Sequence, residues 1–152
     1  MVNKINNQPY EDRWYKTWSA AGAVLKTKKQ KVNQLGNYIG RHNGIAGLFG
    51  AGIINKTLLD EINQSAAWNL VTVIFIDNDK KKQGTKLNGS EVISMEAAAG
   101  YVDYIIITNK DFFPAVYNQL KRRKITTKLF LLYAYLYDDC TIEEALIEIK
   151  EL

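Results

Sequence analysis

Residues 45–62 read IAGLFGAGIINKTLLDEI, and this stretch decides the fold. Its first part, Ile45–Phe49, is a short apolar run that predicts a buried strand. Two glycines, Gly50 and Gly52, end that run. The apolar residues of 53–62 then recur at the three- and four-residue steps of a helix. The stretch therefore predicts a strand, a glycine turn and a helix in direct succession.

The remainder of the chain repeats this alternation. Further strands are predicted at the apolar runs 71–76, 91–93, 104–108 and 128–135. Helical patterns lie at 95–99, at 112–120 and from residue 141 onward, where Thr141 and Glu144 have the spacing of a capping box. Strands that are apolar throughout and alternate with helices predict a parallel sheet covered on both faces. We expect the α/β class, a Rossmann-like doubly wound parallel sheet of about 4–5 strands.

The segment before residue 44 has another pattern. It carries one helical stripe of apolar residues: Trp14, Trp18, Ala21, Leu25, Val32, Leu35 and Ile39. Gly22 and Gly36 weaken this pattern, which leaves one helix or two open. We therefore divide the chain into an N-terminal helical arm, 1–43, and a Rossmann-like domain, 44–152.

The glycine turn has the chemistry of a phosphate site. Gly50 permits a tight turn, and Gly52 lets a phosphate approach the backbone with no Cβ in the way. Ala51 lies between them, and the helix that begins near Ile53 offers unpaired N–H groups and the positive end of its dipole. Asn55 occupies the third position of the fingerprint, where a glycine normally lets helix and strand pack closely.

An acid closes the second predicted strand. The carboxylate of Asp77 can accept hydrogen bonds from two ribose hydroxyls, and Asn78 beside it joins the ligand-binding candidates. The alternative is a plain turn, for which the run Asp77–Asp79 is equally suited. The lysines of 80–82 either favour an extra phosphate on the ligand or form a solvated turn.

A polar pair ends the fourth predicted strand, 104–108. In a doubly wound sheet, Thr108 and Asn109 would face the crevice and line the base or the sugar of a ligand. Asn109 can equally cap the helix that begins near Asp111.

Three segments together resemble a recurring nucleotide-binding domain. They are GLFGAGIINKTLLDEI (47–62), VTVIFIDNDKKKQGTKLNGSEVIS (71–94) and VDYIIIT (102–108). The domain occurs in bacterial polysaccharide-biosynthesis proteins, such as nucleotide-sugar dehydratases and the N-terminal domains of sugar acyltransferases. Similar runs occur in sugar C-methyltransferases and in NADH-sensing redox repressors. The resemblance implies that the glycine turn and Asp77 contact the ligand, either NAD or a nucleotide-sugar.

Composition excludes several function classes. A net charge of +4 and a pI of about 9.0 are too mildly basic for a dedicated nucleic-acid binder. The lysine clusters at 26–31, 80–82 and 121–124 are typical of solvated surface, or else attract an anionic ligand or membrane. No apolar run is long enough for a transmembrane helix. One cysteine, Cys140, fits a cytoplasmic protein, and one histidine, His42, provides no zinc site.

Three functions remain open. The first is a module that binds a nucleotide or nucleotide-sugar and acts with a partner in surface-polysaccharide synthesis. The second is a small enzyme that uses NAD or a nucleotide-sugar, although no catalytic residue is predicted. The third is a scaffold whose ancestral site is empty.

Two contacts with other molecules are expected. The arm's aromatics Tyr10, Trp14, Tyr15 and Trp18 either pack on the domain or a second subunit, or anchor at a membrane surface. The last predicted strand, extended to Tyr137, could pair across a dimer as a sheet edge.

Overall fold

A computed structural model of the protein describes residues 22–150. Within these residues one sheet contains seven strands in the order β3-β4-β2-β1-β5-β6-β7. The strands are β1 (Ile45–Phe49), β2 (Thr72–Ile76), β3 (Lys86–Leu87), β4 (Ser90–Ile93), β5 (Tyr104–Ile107), β6 (Thr127–Leu131) and β7 (Leu146–Ile149). The helices are α1 (Gly22–Gly40), α2 (Ile53–Asn63), α3 (Met95–Ala99), α4 (Phe113–Arg122), α5 (Leu132–Tyr137) and α6 (Ile142–Ala145).

The five central strands are parallel and confirm the doubly wound class. The chain runs outward from β1 through β2 to β4, returns to the other side of β1 as β5, and continues to β6. The order of strands therefore reverses between β1 and β5. Two short antiparallel strands at the edges, β3 and β7, raise the total above the expected number.

Each face of the sheet is covered by its own apolar core. Successive residues of a strand point to opposite faces, so Phe75 lies in one cluster while Ile74 and Ile76 lie in the other. Helices α1, α2 and α5 cover the first face, and α3 and α4 cover the second. This two-sided burial explains why the strands read as continuous apolar runs.

Helix α1 is continuous through Gly36 and contributes to the first core. Its residues Val32, Leu35 and Ile39 are buried in the cluster that contains the strands. The indole of Trp68 packs directly on Gly36, and its Nε1 donates a hydrogen bond of 3.0 Å to the carbonyl oxygen of Val32. The glycine therefore gives the indole access to the helix backbone and does not divide the helix.

The predicted strand 128–135 is correct only in its first part. Strand β6 ends at Leu131, and α5 follows it at once. Leu132, Tyr135 and Leu136 are buried at the helical steps of three and four, which the β-forming tyrosines concealed.

The expectation of a free sheet edge at 128–137 is wrong. Strand β6 lies between β5 and β7, so both of its sides are already paired. The sheet edge on this side is β7, a strand that the sequence patterns did not predict.

The capping box at Thr141 is confirmed. The Thr141 hydroxyl accepts from the backbone N–H of Glu144, and the Glu144 carboxylate accepts from the backbone N–H of Thr141. These hydrogen bonds lower the pKa of the Glu144 carboxyl below its ordinary value. The arm's aromatics Tyr10, Trp14, Tyr15 and Trp18 lie outside the described residues.

The contact between Gly36 and Trp68 makes a test of the packing. A Cβ on Gly36 would lie 2.5 Å from the buried indole, so Gly36→Ala must displace a ring that has little room. Overpacking of this kind costs about 1–3 kcal/mol, against a gain in helix propensity of about 1 kcal/mol. We therefore expect Gly36→Ala to leave the free energy of unfolding unchanged or to lower it, as measured by urea denaturation. Gly100→Ala is the control, because a Cβ there meets no atom within 4 Å. A clear gain in stability for Gly36→Ala would contradict the described packing.

Candidate functional site

A crevice opens at the point where the strand order reverses. Strand β1 pairs with β2 as far as Phe49, but it pairs with β5 only as far as Leu48, so β1 and β5 part at their carboxyl ends. The space between them has a volume of about 200 Å³. Its lining consists of Gly50, Ala51, Gly52, Ile53, Ile54, Asn55, Asp77, Lys82, Thr108, Asn109 and Phe112. The crevice thus has the position that doubly wound sheets use for ligands.

The two glycines of the loop serve different purposes. Gly50 has a φ of 102°, a conformation that L residues rarely adopt, and its N–H donates to the carbonyl of Ile76 at 2.7 Å. Gly52 has an ordinary extended backbone, φ −112° and ψ −174°, and a Cβ built on it would meet no atom within 4 Å. The protein's own backbone therefore requires glycine at position 50 but not at position 52.

Gly52 is also the N-cap of α2. No side chain caps this helix end, and the first turn of the helix contains no acidic residue. The backbone N–H groups of a first helical turn have no partners within their own helix. Here they begin at a loop that lines the crevice.

Asp77 reaches the crevice from the end of β2. Its Oδ2 accepts a hydrogen bond of 2.8 Å from the backbone N–H of Ala51, and its Oδ1 accepts one of 2.8 Å from the backbone N–H of Asp79. The second bond is the turn that the alternative interpretation predicted. The first joins β2 to the glycine loop, so the same carboxylate forms the turn and lines the crevice.

Asn55, the departure from the glycine fingerprint, is a buried hydrogen-bonding centre. Its Nδ2 donates to the carbonyls of Phe49 and Gly50, each at 2.8 Å, and its Oδ1 accepts from the hydroxyl of Thr108 at 3.0 Å. These bonds connect the end of β1, the glycine loop and the residue after β5. Asn55 therefore holds the two parted strands at a fixed separation, a role that the sequence did not reveal.

Of the remaining predicted site residues, two line the crevice and one does not. Thr108 and Asn109 are both buried at the crevice. Asn109 also accepts a hydrogen bond of 3.0 Å from the backbone N–H of Asp111, as its predicted capping role requires. Asn78 does not line the crevice, because its amide forms two hydrogen bonds with the amide of Gln119. Its side chain joins the β2 turn to α4.

Apart from Asn55, two lining residues, Ile54 and Phe112, were not among the candidates from sequence, and Lys82 was considered only as part of the run 80–82. Phe112 is 38% exposed and packs edge-on against the ring of Phe49, while the predicted site residue Ile53 is 54% exposed. These two side chains form the exposed apolar wall of the crevice, whereas Asn55, Thr108 and Asn109 are its buried polar residues. Ile54 is buried beside them, and Lys82 supplies a cation. The helical register of Phe112 was visible in the sequence, but its exposure was not.

Among the described residues, the crevice lining contains one pair of oppositely charged groups, Asp77 and Lys82, whose Oδ2 and Nζ lie 3.9 Å apart. A Tyr-x-x-x-Lys spacing, the catalytic pattern of short-chain dehydrogenases, occurs at Tyr117 and Lys121. Tyr117 packs against Phe113 in the second core, and neither residue of the pair lines the crevice. Among residues 22–150 no cluster of His, Cys, Asp and Glu side chains could hold a metal ion. The same part of the chain has no helix that is both long and apolar enough to cross a bilayer.

The buried amide of Asn55 provides a test of the site's construction. Asn55→Ala leaves two carbonyls and one hydroxyl without their partner, and each unsatisfied buried group costs about 1–3 kcal/mol. We expect a loss of about 2–4 kcal/mol in the free energy of unfolding, measured by chemical denaturation. Asn63→Ala, on the exposed end of the same helix, is the matched control. Equal stabilities for the two variants would show that the Asn55 bonds contribute nothing.

Solved structures provide weak likenesses. The UDP-D-quinovosamine 4-dehydrogenase from Vibrio fischeri is 16% identical, with a TM-score of 0.44, over 70% of this chain and 93% of that chain. RSP, a Rex-family repressor, is 16% identical with the same TM-score, over 76% of this chain and 58% of its own. The structure of RSP in complex with beta-NADH is 18% identical, again at 0.44, over 80% and 60%. Scores this low support no inference about ligands.

Sequence comparison is more specific. No curated protein matches the chain. Residues 46–129, more than half of the chain, match the family described as C2185-like, N-terminal. The matched region runs from β1 into β6 and includes the whole crevice lining. The chain belongs to the C2185-like, N-terminal family.

Proposed function

We propose that this protein is a binding module for a nucleotide-type ligand, with NAD and nucleotide-sugars as the candidate classes. The observation that carries the proposal is the open space at Gly52. Neither the backbone conformation nor any neighbouring atom requires glycine there, yet the missing side chain exposes the uncapped start of α2 to the crevice. A phosphate group would take that space and accept hydrogen bonds from the helix N–H groups.

The rest of the lining suits the other parts of a nucleotide. The Asp77 carboxylate, with 16% of its side chain exposed, retains lone pairs for the hydroxyls of a ribose. A volume of about 200 Å³ is below the roughly 300–1,000 Å³ of pockets that enclose a whole small molecule. The crevice would therefore hold the phosphates and ribose, while the base lies across the exposed Ile53 and Phe112.

The biological setting of the module is also part of the proposal. The segment Phe75–Asp79 and the glycine loop resemble domains of bacterial polysaccharide-biosynthesis proteins. We accordingly propose a cytoplasmic role in surface-polysaccharide synthesis, with a protein partner or a second subunit bound through the N-terminal arm. We assign binding as the role of the crevice, because its lining suits the phosphate and the ribose of a nucleotide.

The first experiment tests the glycine loop by ligand-dependent melting of the full 152-residue chain. The panel contains NAD, NADH, NADP, UDP-sugars, CDP, ATP and coenzyme A. A ligand at 100 times its dissociation constant adds about 2.7 kcal/mol, a rise in Tm of roughly 5–10 °C. We expect Gly52→Asp to abolish that rise, since its carboxylate would repel phosphate. The unliganded variant should remain stable because aspartate is a favourable N-cap.

The matched control is Gly100→Asp. It makes the same charge change between the end of α3 and the start of β5, away from the carboxyl ends of the strands. A Cβ at Gly100 also meets no atom within 4 Å. If no ligand on the panel raises the Tm of the wild-type protein, the proposed function is wrong. If both variants lose the rise equally, the glycine loop is not the site.

A second experiment tests the apolar wall. Stacking of a base on an aromatic ring contributes about 1–3 kcal/mol, so Phe112→Ala should weaken nucleotide binding about tenfold or more. Binding of inorganic pyrophosphate, which has no base, should be unchanged in the same calorimetric titration. Tyr101→Ala removes an exposed ring before the start of β5, away from the carboxyl ends of the strands. It should change neither nucleotide binding nor pyrophosphate binding. Equal loss of nucleotide and pyrophosphate binding in Phe112→Ala would contradict a stacking role.

A further inference from the structure

Lys82 extends over the glycine loop from the turn between β2 and β3. Its Nζ lies 3.3 Å from the carbonyl oxygen of Ala51 and 3.9 Å from Oδ2 of Asp77. The side chain is 46% exposed, so it lines the crevice without being enclosed by it. The ammonium group therefore lies beside both the loop and the carboxylate that faces it.

The backbone around Lys82 is fixed by several hydrogen bonds. Its N–H donates to the carbonyl of Asp79 at 3.0 Å, and its own carbonyl accepts from the backbone N–H and the hydroxyl of Thr85. The amide of Gln83 donates to the carbonyl of Asp77 at 2.9 Å. The turn therefore holds the backbone of Lys82 close to the end of β2.

The charges in the crevice leave this ammonium suited to a phosphate. Asp77 and Lys82 are the only charged residues of the described lining, which therefore has no net formal charge. An ammonium has three donors, and the carbonyl of Ala51 is a neutral acceptor at the long end of hydrogen-bond distance. The phosphates of a ligand would add negative charge next to Asp77, and Lys82 is the cation placed to neutralise it.

The two preceding lysines differ from Lys82 in position. All three lysines are exposed, but Lys80 and Lys81 do not line the crevice. The backbone N–H of Lys81 donates to the side chain of Asp79 in the turn. The three lysines share a charge and a local sequence, but only one of them is close to the glycine loop.

We propose that Lys82 contacts the phosphates of the ligand and selects diphosphate esters over uncharged nucleosides. This inference rests on the proposed function of the crevice. It adds Lys82, a residue outside the glycine loop, to the binding site. It also distinguishes Lys82 from the two lysines before it, since only Lys82 would contact the phosphates.

The test is calorimetric titration of the full chain with inorganic pyrophosphate at low and moderate salt. We expect Lys82→Gln to bind pyrophosphate about tenfold more weakly, since a hydrogen bond from a charged group is lost and Asp77 is left uncompensated. Its affinity should also depend less on salt. Lys82→Arg should retain most of the affinity because it keeps the charge. Lys81→Gln, which removes the same charge one residue away, should change little.

The outcomes separate this inference from the proposed function. If wild-type protein binds pyrophosphate, Gly52→Asp does not, and Lys82→Gln matches Lys81→Gln, the role of Lys82 is wrong while the site stands. If pyrophosphate fails to bind but a nucleotide raises the Tm of the wild-type chain, the role of Lys82 is again wrong. If neither pyrophosphate nor any nucleotide binds, both proposals fail together.

Discussion

The geometry of the crevice depends on one buried amide. Asn55 bonds to two carbonyls at the end of β1 and to the hydroxyl after β5, so a single side chain determines how far these strands part. A glycine at this position would allow closer packing of helix and strand but could supply none of these bonds. Asp77 holds the other side of the loop through the N–H of Ala51. Asn55 of α2 and Asp77 after β2 thus hold the loop from two sides. The space beside Gly52 stays open between them.

Most of the fold could be predicted from the sequence because its strands are buried on both faces. Continuous apolar runs at β1, β2 and β5 have no other simple interpretation when helical patterns lie between them. The edge strands lack this signal, since β3 contains only Lys86–Leu87 and β7 is short and half exposed. Helix α5 was missed for another reason. Its tyrosines favour strands in general, whereas the periodicity of Leu132, Tyr135 and Leu136 is the pattern that determined the structure.

The site residues that lie close together in the sequence could be predicted, whereas those positioned by contacts distant in sequence could not. Gly50, Ala51, Gly52 and Ile53 form one turn, and their place at the end of a strand follows from sequence alone. Asp77 was predictable in the same way, because it follows β2 and the carboxyl ends of parallel strands lie on the same side of the sheet. The direction of a side chain after a turn is different, because it depends on partners distant in sequence. Asn78 is drawn away by Gln119, 41 positions further along the chain, while Phe112 and Lys82 reach the crevice through contacts that no spacing encodes.

The line between β1 and β5, here called the seam, divides the sheet into two halves, and both apolar cores continue across it. Strands β1 and β5 pair over Ala46–Leu48. Beyond that point the halves are joined by the Asn55–Thr108 and Asn78–Gln119 hydrogen bonds and by the contact between the rings of Phe49 and Phe112. Asp77 and Lys82 belong to one half, and Asn109 and Phe112 belong to the other. A molecule seated in the crevice would lie across this seam and act as a removable crosslink.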